Sequence, residues 1–291
     1  MSDTLAALSD QLSGLVAEAA PSVVGVHSHR SRSSGIAVGA DLIVTAEEAL
    51  AEEGEIAVSL PGGERRPATL VGRDPSTDVA LLRVEGGALP ALTLNAAALP
   101  RAGALALALG SAEGHPLAAF GVVAHSGPAW RSLRGGEIDA RIELDLRLAR
   151  HAEGGLVIDV GGQALGMAVF GPRRRALVIP GATILRAAGE LEKHGKPRRG
   201  YLGLGLQPVR LDGDEGWGLM AISVDANGPA ASAGLAQGDV LTGWDGRPIP
   251  PLREVQRALG AASVGRTARV SYRRGGQTHE AQLTVGERPA A

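Results

Sequence analysis

Short apolar segments recur along the first 180 residues of this chain, and a turn-forming residue closes each one. Segments of this kind, bounded by Gly, Pro, Asp or Ser at regular spacing, are typical of an all-β sandwich or barrel. Only 2% of the residues are aromatic, so Leu, Val, Ile and Ala must build the core, while 42 Gly and 17 Pro suit tight turns. We therefore predict a mainly β first domain. The segments read VVGVHS, GIAV, LIVTA, EIAVSL, ATLVG, VALLRV, ALALALG, GVVAH, RIELDL, GLVIDV, ALGMAVF and ALVIP.

Apolar residues at helical spacing predict two helices that flank this β-rich region. The first is amphipathic and ends near Pro21, and the second covers residues 182–194. A short stretch rich in Gly, Pro and Arg follows and predicts a linker, after which strands and two short helical segments form a second unit. We expect an N-terminal helix at 1–20, a β-barrel domain at 21–195, a linker at 196–200 and a small α+β domain at 201–287. The residues that mark the first helix are Leu5, Leu8, Leu12, Leu15 and Val16.

The composition excludes several classes of protein. The net charge of −2 leaves no basic footprint for nucleic acid. The absence of Cys removes disulfides, thiol nucleophiles and thiolate metal sites. No segment is long and apolar enough to span a membrane, and the first twenty residues lack the basic and apolar regions of a signal peptide. We therefore expect a cytoplasmic protein, and we predict no cofactor.

Two motifs of the second domain resemble those of PDZ domains. NGPAASAGLAQGDVLTGWDGRPI (227–249) has two Gly-bounded turns followed by an Asp-Gly hairpin, and GYLGLGL (200–206) places a glycine-rich loop before a strand. PDZ domains add a peptide to a sheet edge and hold its C-terminal carboxylate with backbone N–H groups. The resemblance implies a protein or peptide C-terminus as partner. The peptide-binding residues that it implies are Tyr201, Leu202, Gly203 and Leu204 in the loop, with Leu252 and Val255 along the groove.

The β-rich domain, followed by such a PDZ-like domain, resembles the serine proteases of the HtrA/Deg family. The resemblance implies a mainly β fold, in which a chymotrypsin-like double β-barrel precedes an α+β PDZ domain. It extends over most of the chain, in the family's order. The segments that carry it are PSVVGV (21–26), LIVTAEEAL (42–50), VGRDPSTDVALLRVEG (71–86), HAEGGLVID (151–159) and ALVIPGATIL (176–185).

The same resemblance assigns the three positions of a Ser-His-Asp triad, and two of them differ from the family. The segment IVTAEEAL (43–50) aligns with a segment that resembles IVTNAHVV in the family, so Glu48 occupies the His position. The TDVA motif places Asp78 at the Asp position. The segment HAEGG aligns with a segment that resembles GNSGG in the family, so Glu153 occupies the position of the nucleophilic Ser. A carboxylate thus replaces both the base and the nucleophile. His151 and Ala152 replace Gly and Asn, which puts the oxyanion-binding backbone in doubt.

With no triad intact, we predict a bacterial pseudoprotease that is not an enzyme and that acts as a protein-binding scaffold or regulatory subunit, through its PDZ groove and its degenerate cleft. The alternative is a hydrolase of altered mechanism, a residual or metal-dependent peptidase that uses Glu48, Asp78 and Glu153. A homo-oligomer and a place in a larger complex are both compatible with the sequence.

Three carboxylates brought together in one cleft would repel one another. Protonation of one, an arginine partner such as Arg147 or Arg150, or a hard cation held by Glu48, Asp78 and Glu153 would relieve that repulsion. A further hypothesis is that Glu153 places its carboxylate against the backbone N–H groups that would otherwise bind an oxyanion. The simplest alternative is that the glutamates are solvated and lie apart.

Overall fold

The computed structural model of the protein describes residues 2–29, 31–97, 99–211 and 216–289. Contacts within the chain divide it into two compact units, Met1–Pro197 and Arg198–Ala291. Among the described residues, no helix combines the length and the apolar character that a membrane crossing requires.

Six antiparallel strands close the first barrel, in the order β1-β2-β3-β6-β5-β4. Strand β6 shows why its sequence, VALLRV, is apolar at nearly every position. Its alternate side chains face two different cores: Ala80 and Leu82 point into the barrel, while Val79 and Leu81 point outwards to a core shared with the second barrel. The strands are β1 (Val23–Ser28), β2 (Ser31–Ala37), β3 (Leu42–Thr45), β4 (Ile56–Ser59), β5 (Arg65–Asp74) and β6 (Val79–Val84).

Six further strands close the second barrel, in the order β11-β14-β13-β12-β7-β8. In β7 the small Ala106 and Ala108 fill the barrel interior, whereas Leu107 and Leu109 face the shared core. Strands β9 (Trp130–Arg131) and β10 (Glu137–Ile138) form a separate hairpin. The barrel strands are β7 (Leu105–Ala112), β8 (His115–Gly127), β11 (Arg141–Asp145), β12 (Leu156–Asp159), β13 (Ala164–Phe170) and β14 (Ala176–Pro180).

Two helices pack on this first unit. Helix α2 (Gly181–His194) buries Ile184 and Leu191 in the shared core and ends at Gly195, whose φ of +69° is the left-handed conformation common after a helix. In helix α1 (Ser2–Ala19), the second half packs on the same core, whereas Leu5 near its start is 69% exposed. Short 3₁₀ helices cover Ala20–Ser22, Arg150–Ala152 and Pro172–Arg174.

The second unit is a sheet in the order β16-β17-β18-β20-β21, with β19 paired to β18 and a separate pair, β15 and β22. Its core is built from Leu, Val and Ala side chains around the buried Tyr272. The strands are β15 (Gly200–Tyr201), β16 (Leu204–Arg210), β17 (Trp217–Val224), β18 (Val240–Trp244), β19 (Arg247–Pro248), β20 (Thr267–Arg274), β21 (Gln277–Thr284) and β22 (Gly286–Glu287). The helices are α3 (Pro229–Ser232), α4 (Leu252–Ala258) and a 3₁₀ turn at Ala261–Ser263.

Candidate active site and peptide groove

The two glycines that follow Glu153 are required by packing. Gly154 has a φ of +81°, and a Cβ placed there would lie 2.3 Å from the carbonyl oxygen of Ser34 on β2. At Gly155 a Cβ would lie 2.0 Å from the carbonyl oxygen of Leu109 on β7. No other residue fits so close to these two backbones. The Gly-Gly pair therefore positions the 150–155 loop between the barrels, whichever side chain precedes it.

Hydrogen bonds fix the same loop on both sides. Ser34 donates its N–H to the carbonyl of Glu153 at 2.7 Å, and Gly154 donates its N–H to Ala168 on β13 at 2.8 Å. The N–H of Glu153 itself lies 3.4 Å from the carbonyl oxygen of Arg150, within the 3₁₀ turn. Oxyanion stabilisation needs N–H groups that face the substrate. In this structure the N–H of Glu153 is directed into its own loop.

Asp78 lies at the end of a loop that leads into β6, and its φ of +57° is one that Asp tolerates better than most residues. The backbone N–H of Glu48 donates to Asp78 Oδ1 at 2.8 Å. The structure therefore brings together Glu48 and Asp78, two of the predicted site residues. The neighbouring Glu47 donates its own N–H to the Asp78 carbonyl.

Burial, and then the negative charges of Glu48, Glu153 and Glu47, raise the pKa of Asp78 to about 7, against the opposing backbone hydrogen bond from Glu48. A carboxyl in this range is protonated in part of the molecules at neutral pH. We call Glu48, Asp78 and Glu153 the carboxylate cluster. Protonation of Asp78 is thus one way in which the repulsion expected from the sequence is relieved.

The Glu153 side chain is half-buried, and its carboxylate accepts a backbone hydrogen bond from Phe170 at the end of β13. Burial is the largest cause that raises its pKa, and the charge of Glu48 adds to it, while Phe170, Arg174 and Arg150 lower it. The hypothesis from the sequence requires the carboxylate to bind the N–H groups of the oxyanion loop, and this contact is with a different backbone group. That group belongs to β13 and not to the oxyanion loop.

The arginine that pairs with Glu48 comes from the β9–β10 hairpin. Arg134 Nη2 lies 3.3 Å from Glu48 Oε1, and its Nη1 lies 3.3 Å from Glu47 Oε2. Arg73 also pairs with Glu47, at 3.4 Å. The expected partners were Arg147 and Arg150. Of these, Arg150 acts on Glu153 through its charge, and within the described structure Arg147 makes none of these contacts.

The carboxylate cluster is not gathered as a cation site. Among the described residues, no group of three or more His, Asp and Glu side chains has the arrangement that holds a metal ion. Glu48 is 52% exposed and turns towards Arg134, whereas Glu153 turns towards β13. The weak metal candidates Glu48, Asp78 and Glu153 therefore gain no support from the geometry.

In the second unit, β16 is an edge strand. It pairs with β17 on one side, and helix α4 lies beside it. Leu204 and Leu206 of β16 and Leu252 of α4 are partly exposed and pack against the domain core, in which Val255 is buried. A free strand edge next to partly exposed leucines is the arrangement that accepts an added peptide strand.

The loop before β16 offers backbone donors. Leu202 and Gly203 use their carbonyl groups to bind the N–H groups of Ala230 and Asp225, at 2.9 Å each. Within the described residues, the N–H groups of Leu202 and Gly203 have no hydrogen-bond partner. The hydroxyl of Tyr201 instead donates to Asp225 Oδ2 at 3.0 Å, so its side chain lies in a separate polar pocket that Asp225 also lines.

Pro208 limits how far a peptide can pair along β16. It has no N–H, and a proline inside a strand is placed with its nitrogen towards an unpaired edge. Since β16 pairs with β17 on its other side, the missing donor falls on the free edge. An added strand would therefore pair with Leu204–Leu206 and lose its partner at Pro208.

Comparison with known proteins agrees with both units. The family model described as "Trypsin-like peptidase domain" matches residues 33–167, and the model described as "PDZ domain" matches residues 200–285. Each match falls within one of the two units. The predicted fold class, a chymotrypsin-like double β-barrel followed by an α+β PDZ domain, is therefore confirmed.

Several curated relatives carry the name "Probable periplasmic serine endoprotease DegP-like". The one from Pseudomonas fulva is 32% identical over 276 residues, which cover 90% of this chain and 57% of the relative. The one from Pseudomonas putida strain W619 is 30% identical over 274 residues, or 89% and 57%. This chain thus spans less than two thirds of the length of these relatives.

Solved structures show the same architecture. A serine endoprotease from Yersinia pestis is 25% identical, with a TM-score of 0.73 over 94% of this chain and 97% of that one. The HtrA-type protease AlgWS227A with a tripeptide is 27% identical, with a TM-score of 0.71 over 94% and 96%.

Two predictions are contradicted by these relatives. The prediction that the chain is not an enzyme is wrong, because its relatives are named as serine endoproteases and point to a protease. The prediction of a cytoplasmic protein is wrong in the light of the same relatives, which are named as periplasmic. The chain has a trypsin-like peptidase domain followed by a PDZ domain, and in this order and fold it is similar to HtrA-type proteases.

Proposed function

We propose that this chain is a polypeptide-binding protein, whose PDZ domain captures the C-terminus of a protein partner and whose double-barrel cleft is a binding surface of its own, in a scaffold or accessory role towards that partner. The observation that carries the proposal is the free edge of β16, which lies beside α4 and follows a loop with two unpartnered N–H groups. Backbone N–H groups of this kind hold a terminal carboxylate in PDZ domains. The AlgWS227A structure, which is named as holding a tripeptide, supports peptides as the class of ligand.

The experiment is a binding screen of the full chain against a library of fluorescent peptides that differ in their last four residues. Selected peptides are then measured against two variants of helix α4. Leu252→Gln removes a partly exposed apolar contact of the groove, whereas Arg253→Gln changes the next, exposed residue. We expect Leu252→Gln to weaken binding roughly tenfold and Arg253→Gln to leave it within about twofold. Equal affinity for all three proteins, or no selection at the C-terminus, would overturn the proposal.

A second candidate function is peptide hydrolysis that depends on carboxyl groups, and one observation favours it. The pKa of Asp78 is raised to about 7, so a protonated carboxyl and ionised glutamates can coexist at neutral pH. A carboxyl pair that shares a proton can activate water with one member and protonate the substrate with the other. The names of the relatives, serine endoproteases, agree with a peptidase of some kind.

Cleavage of casein and of a peptide library between pH 4 and 8, with and without divalent cations, tests this second candidate. Asp78→Asn and Glu153→Gln remove the titrating carboxyls, and Glu85→Gln is a control on an exposed glutamate outside the cluster. The candidate predicts cleavage that both cluster variants abolish and the control retains. Cleavage that survives Asp78→Asn and Glu153→Gln, or no cleavage at any pH, would contradict it.

A further inference from the structure

A pocket of the peptidase domain lies beside the loop that carries Glu153. Its volume is about 200 Å³, enough for a group of a few heavy atoms. Strands β1, β2 and β7 supply most of its wall, and His151, two residues before Glu153, completes it. The polar lining residues are His27, Arg32, Ser33, Ser111, Glu113 and His151. The carboxylate cluster does not contribute to this pocket.

The hydrogen bonds of His27 fix which of its ring nitrogens carries the proton. Arg32 Nη1 lies 2.8 Å from His27 Nδ1, and an arginine can only donate, so Nδ1 is the acceptor. The proton is then on Nε2, which donates to Ser59 Oγ at 2.7 Å. His27 therefore cannot take a proton from Ser59, which excludes a Ser-His catalytic pair at this position. It serves as a neutral, fixed part of the pocket wall.

Ser111 contributes a buried hydroxyl group to the pocket. Its side chain is 3% exposed, and among the described residues its Oγ is a buried side-chain atom without a hydrogen-bond partner. Its backbone N–H is satisfied, because it donates to Ser34 Oγ at 2.8 Å. Leaving a buried hydroxyl unpaired costs free energy, and a hydrogen bond from a ligand in the pocket would recover it.

The charge around the pocket is positive. Arg32 and Arg65 both pair with Glu113, the latter at 2.5 Å, so two cations surround one carboxylate. The hydrogen bond from Arg65 holds the pKa of Glu113 below its usual range, so this carboxylate stays ionised and bound. The described contacts of Arg32 all use Nη1, which leaves its other N–H groups for a ligand. The charges of the lining residues Arg32 and Glu113 balance, and Arg65, just outside the lining, adds one positive charge. That charge and the unpaired hydroxyl together favour an anion.

We propose that this pocket binds a carboxylate group, held by the Ser111 hydroxyl and by the guanidinium of Arg32. The small volume admits a free short-chain carboxylate or the side chain of a glutamate or aspartate, and the two share the same recognition chemistry. The site is separate from the PDZ groove and from the carboxylate cluster, so it stands whether or not the polypeptide-binding function is correct.

The experiment uses ¹H–¹⁵N NMR titration of the full chain with three probes: acetate, N-acetylglutamate amide and the neutral N-acetylglutamine amide. The backbone signals of Ser111, Glu113 and His27 report on the pocket. Acetate binding without N-acetylglutamate amide binding identifies a free carboxylate as the ligand, whereas tighter binding of N-acetylglutamate amide identifies an acidic side chain. Both outcomes support the proposal, provided that N-acetylglutamine amide fails to shift the same signals.

Three variants and one control complete the test. Ser111→Ala removes the hydroxyl, and Arg32→Gln removes the charge. Gly25→Ala keeps every charge but narrows the pocket, because its Cβ would lie 3.6 Å from Ser111 Oγ and 3.5 Å from its nearest neighbours, without a clash. Each variant should weaken carboxylate binding roughly tenfold or more. Arg101→Gln, at an exposed arginine outside the pocket, should leave it unchanged.

Two results would overturn the proposal. The first is that none of the probes shifts the backbone signals of Ser111, Glu113 and His27. The second is binding of N-acetylglutamine amide as tight as that of N-acetylglutamate amide, which would mean that the pocket does not select a negative charge. Should Arg32→Gln fail to fold, Ser111→Ala and Gly25→Ala still decide the question, since they disturb no ion pair.

Discussion

The backbone N–H of Glu48 donates a 2.8 Å hydrogen bond to Asp78 Oδ1. This bond lowers the pKa of Asp78, yet burial and the charge on the Glu48 side chain raise it, and the result is a pKa of about 7. Residue 48 thus acts on Asp78 in two opposite ways, through its backbone and through its side chain. A neutral side chain at position 48 would leave only the backbone hydrogen bond, which stabilises the ionised form of Asp78.

Removing either neighbouring glutamate should lower the pKa of Asp78. Glu48→Gln and Glu153→Gln each delete one negative charge, and Glu48→Gln keeps the backbone donor. We expect the midpoint of the Asp78 titration, followed by ¹³C NMR of its carboxyl carbon, to fall by about 0.5 to 1 pH unit in each variant. Glu85→Gln, at an exposed site, should leave the midpoint near 7. A midpoint near 4 in the unmodified protein would refute the whole description of the cluster.

The stability of the protein should fall, relative to Asp78→Asn, as pH rises. The folded pKa of Asp78, about 7, lies above its ordinary value of 3.8, so the folded state binds the proton more tightly than the unfolded state. The resulting stabilisation is complete below about pH 4 and disappears as pH passes about 7. The variant lacks this titration, so the difference in unfolding free energy should change by roughly 2–4 kcal/mol across that window. Urea denaturation at several pH values measures it, and a difference that is flat or rises with pH would contradict the prediction.

Two arginines bind Glu47 and should differ in their effect on stability. Arg73 is 19% exposed and also binds the carbonyl of Ala51, whereas Arg134 is 52% exposed. We expect Arg73→Ala to lower the unfolding free energy by about 2–3 kcal/mol. Arg134→Ala should cost less than about 1 kcal/mol, as for other exposed ion pairs. Thermal unfolding of both variants compares them directly, and an equal or reversed order would show that burial does not govern this pair.

Gly154 should tolerate substitution far less than Gly162, although both have a positive φ. A Cβ at Gly154 would lie 2.3 Å from the Ser34 carbonyl oxygen, while the nearest atom to one at Gly162 would be 3.5 Å away, on the flexible Leu15 side chain. Gly154→Ala should cost roughly 3 kcal/mol or more. Gly162→Ala should cost about 1 kcal/mol, from its φ alone. Similar denaturation midpoints for the two variants would mean that the loop moves to accept a methyl group.

The sequence predicts the fold class well because alternation along each strand is a local property. ALALALG in β7 illustrates this, since its Ala and Leu side chains face two different cores. The HAEGG motif likewise indicates a tightly packed loop, because a Cβ at either glycine would clash with a backbone carbonyl oxygen.

The partners of the carboxylate cluster could not be predicted in the same way. Arg134 lies in a hairpin with no recognisable motif, and only the folded chain brings it to Glu48. Arg147 and Arg150 are closer to Glu153 in sequence, but sequence distance does not determine which arginine points into the cleft. The bond from Phe170 to the Glu153 carboxylate also depends on how β13 meets the loop, which periodicity does not reveal.

Isothermal titration calorimetry of one selected peptide, with a free and with an amidated C-terminus, tests the central proposal most directly. Capture of a C-terminus by the N–H groups of Leu202 and Gly203 requires the terminal carboxylate. We expect amidation to weaken binding at least tenfold, while substitution of peptide residues beyond the segment facing Pro208 should change affinity less than about twofold. Equal affinity of the free and the amidated peptide would contradict it.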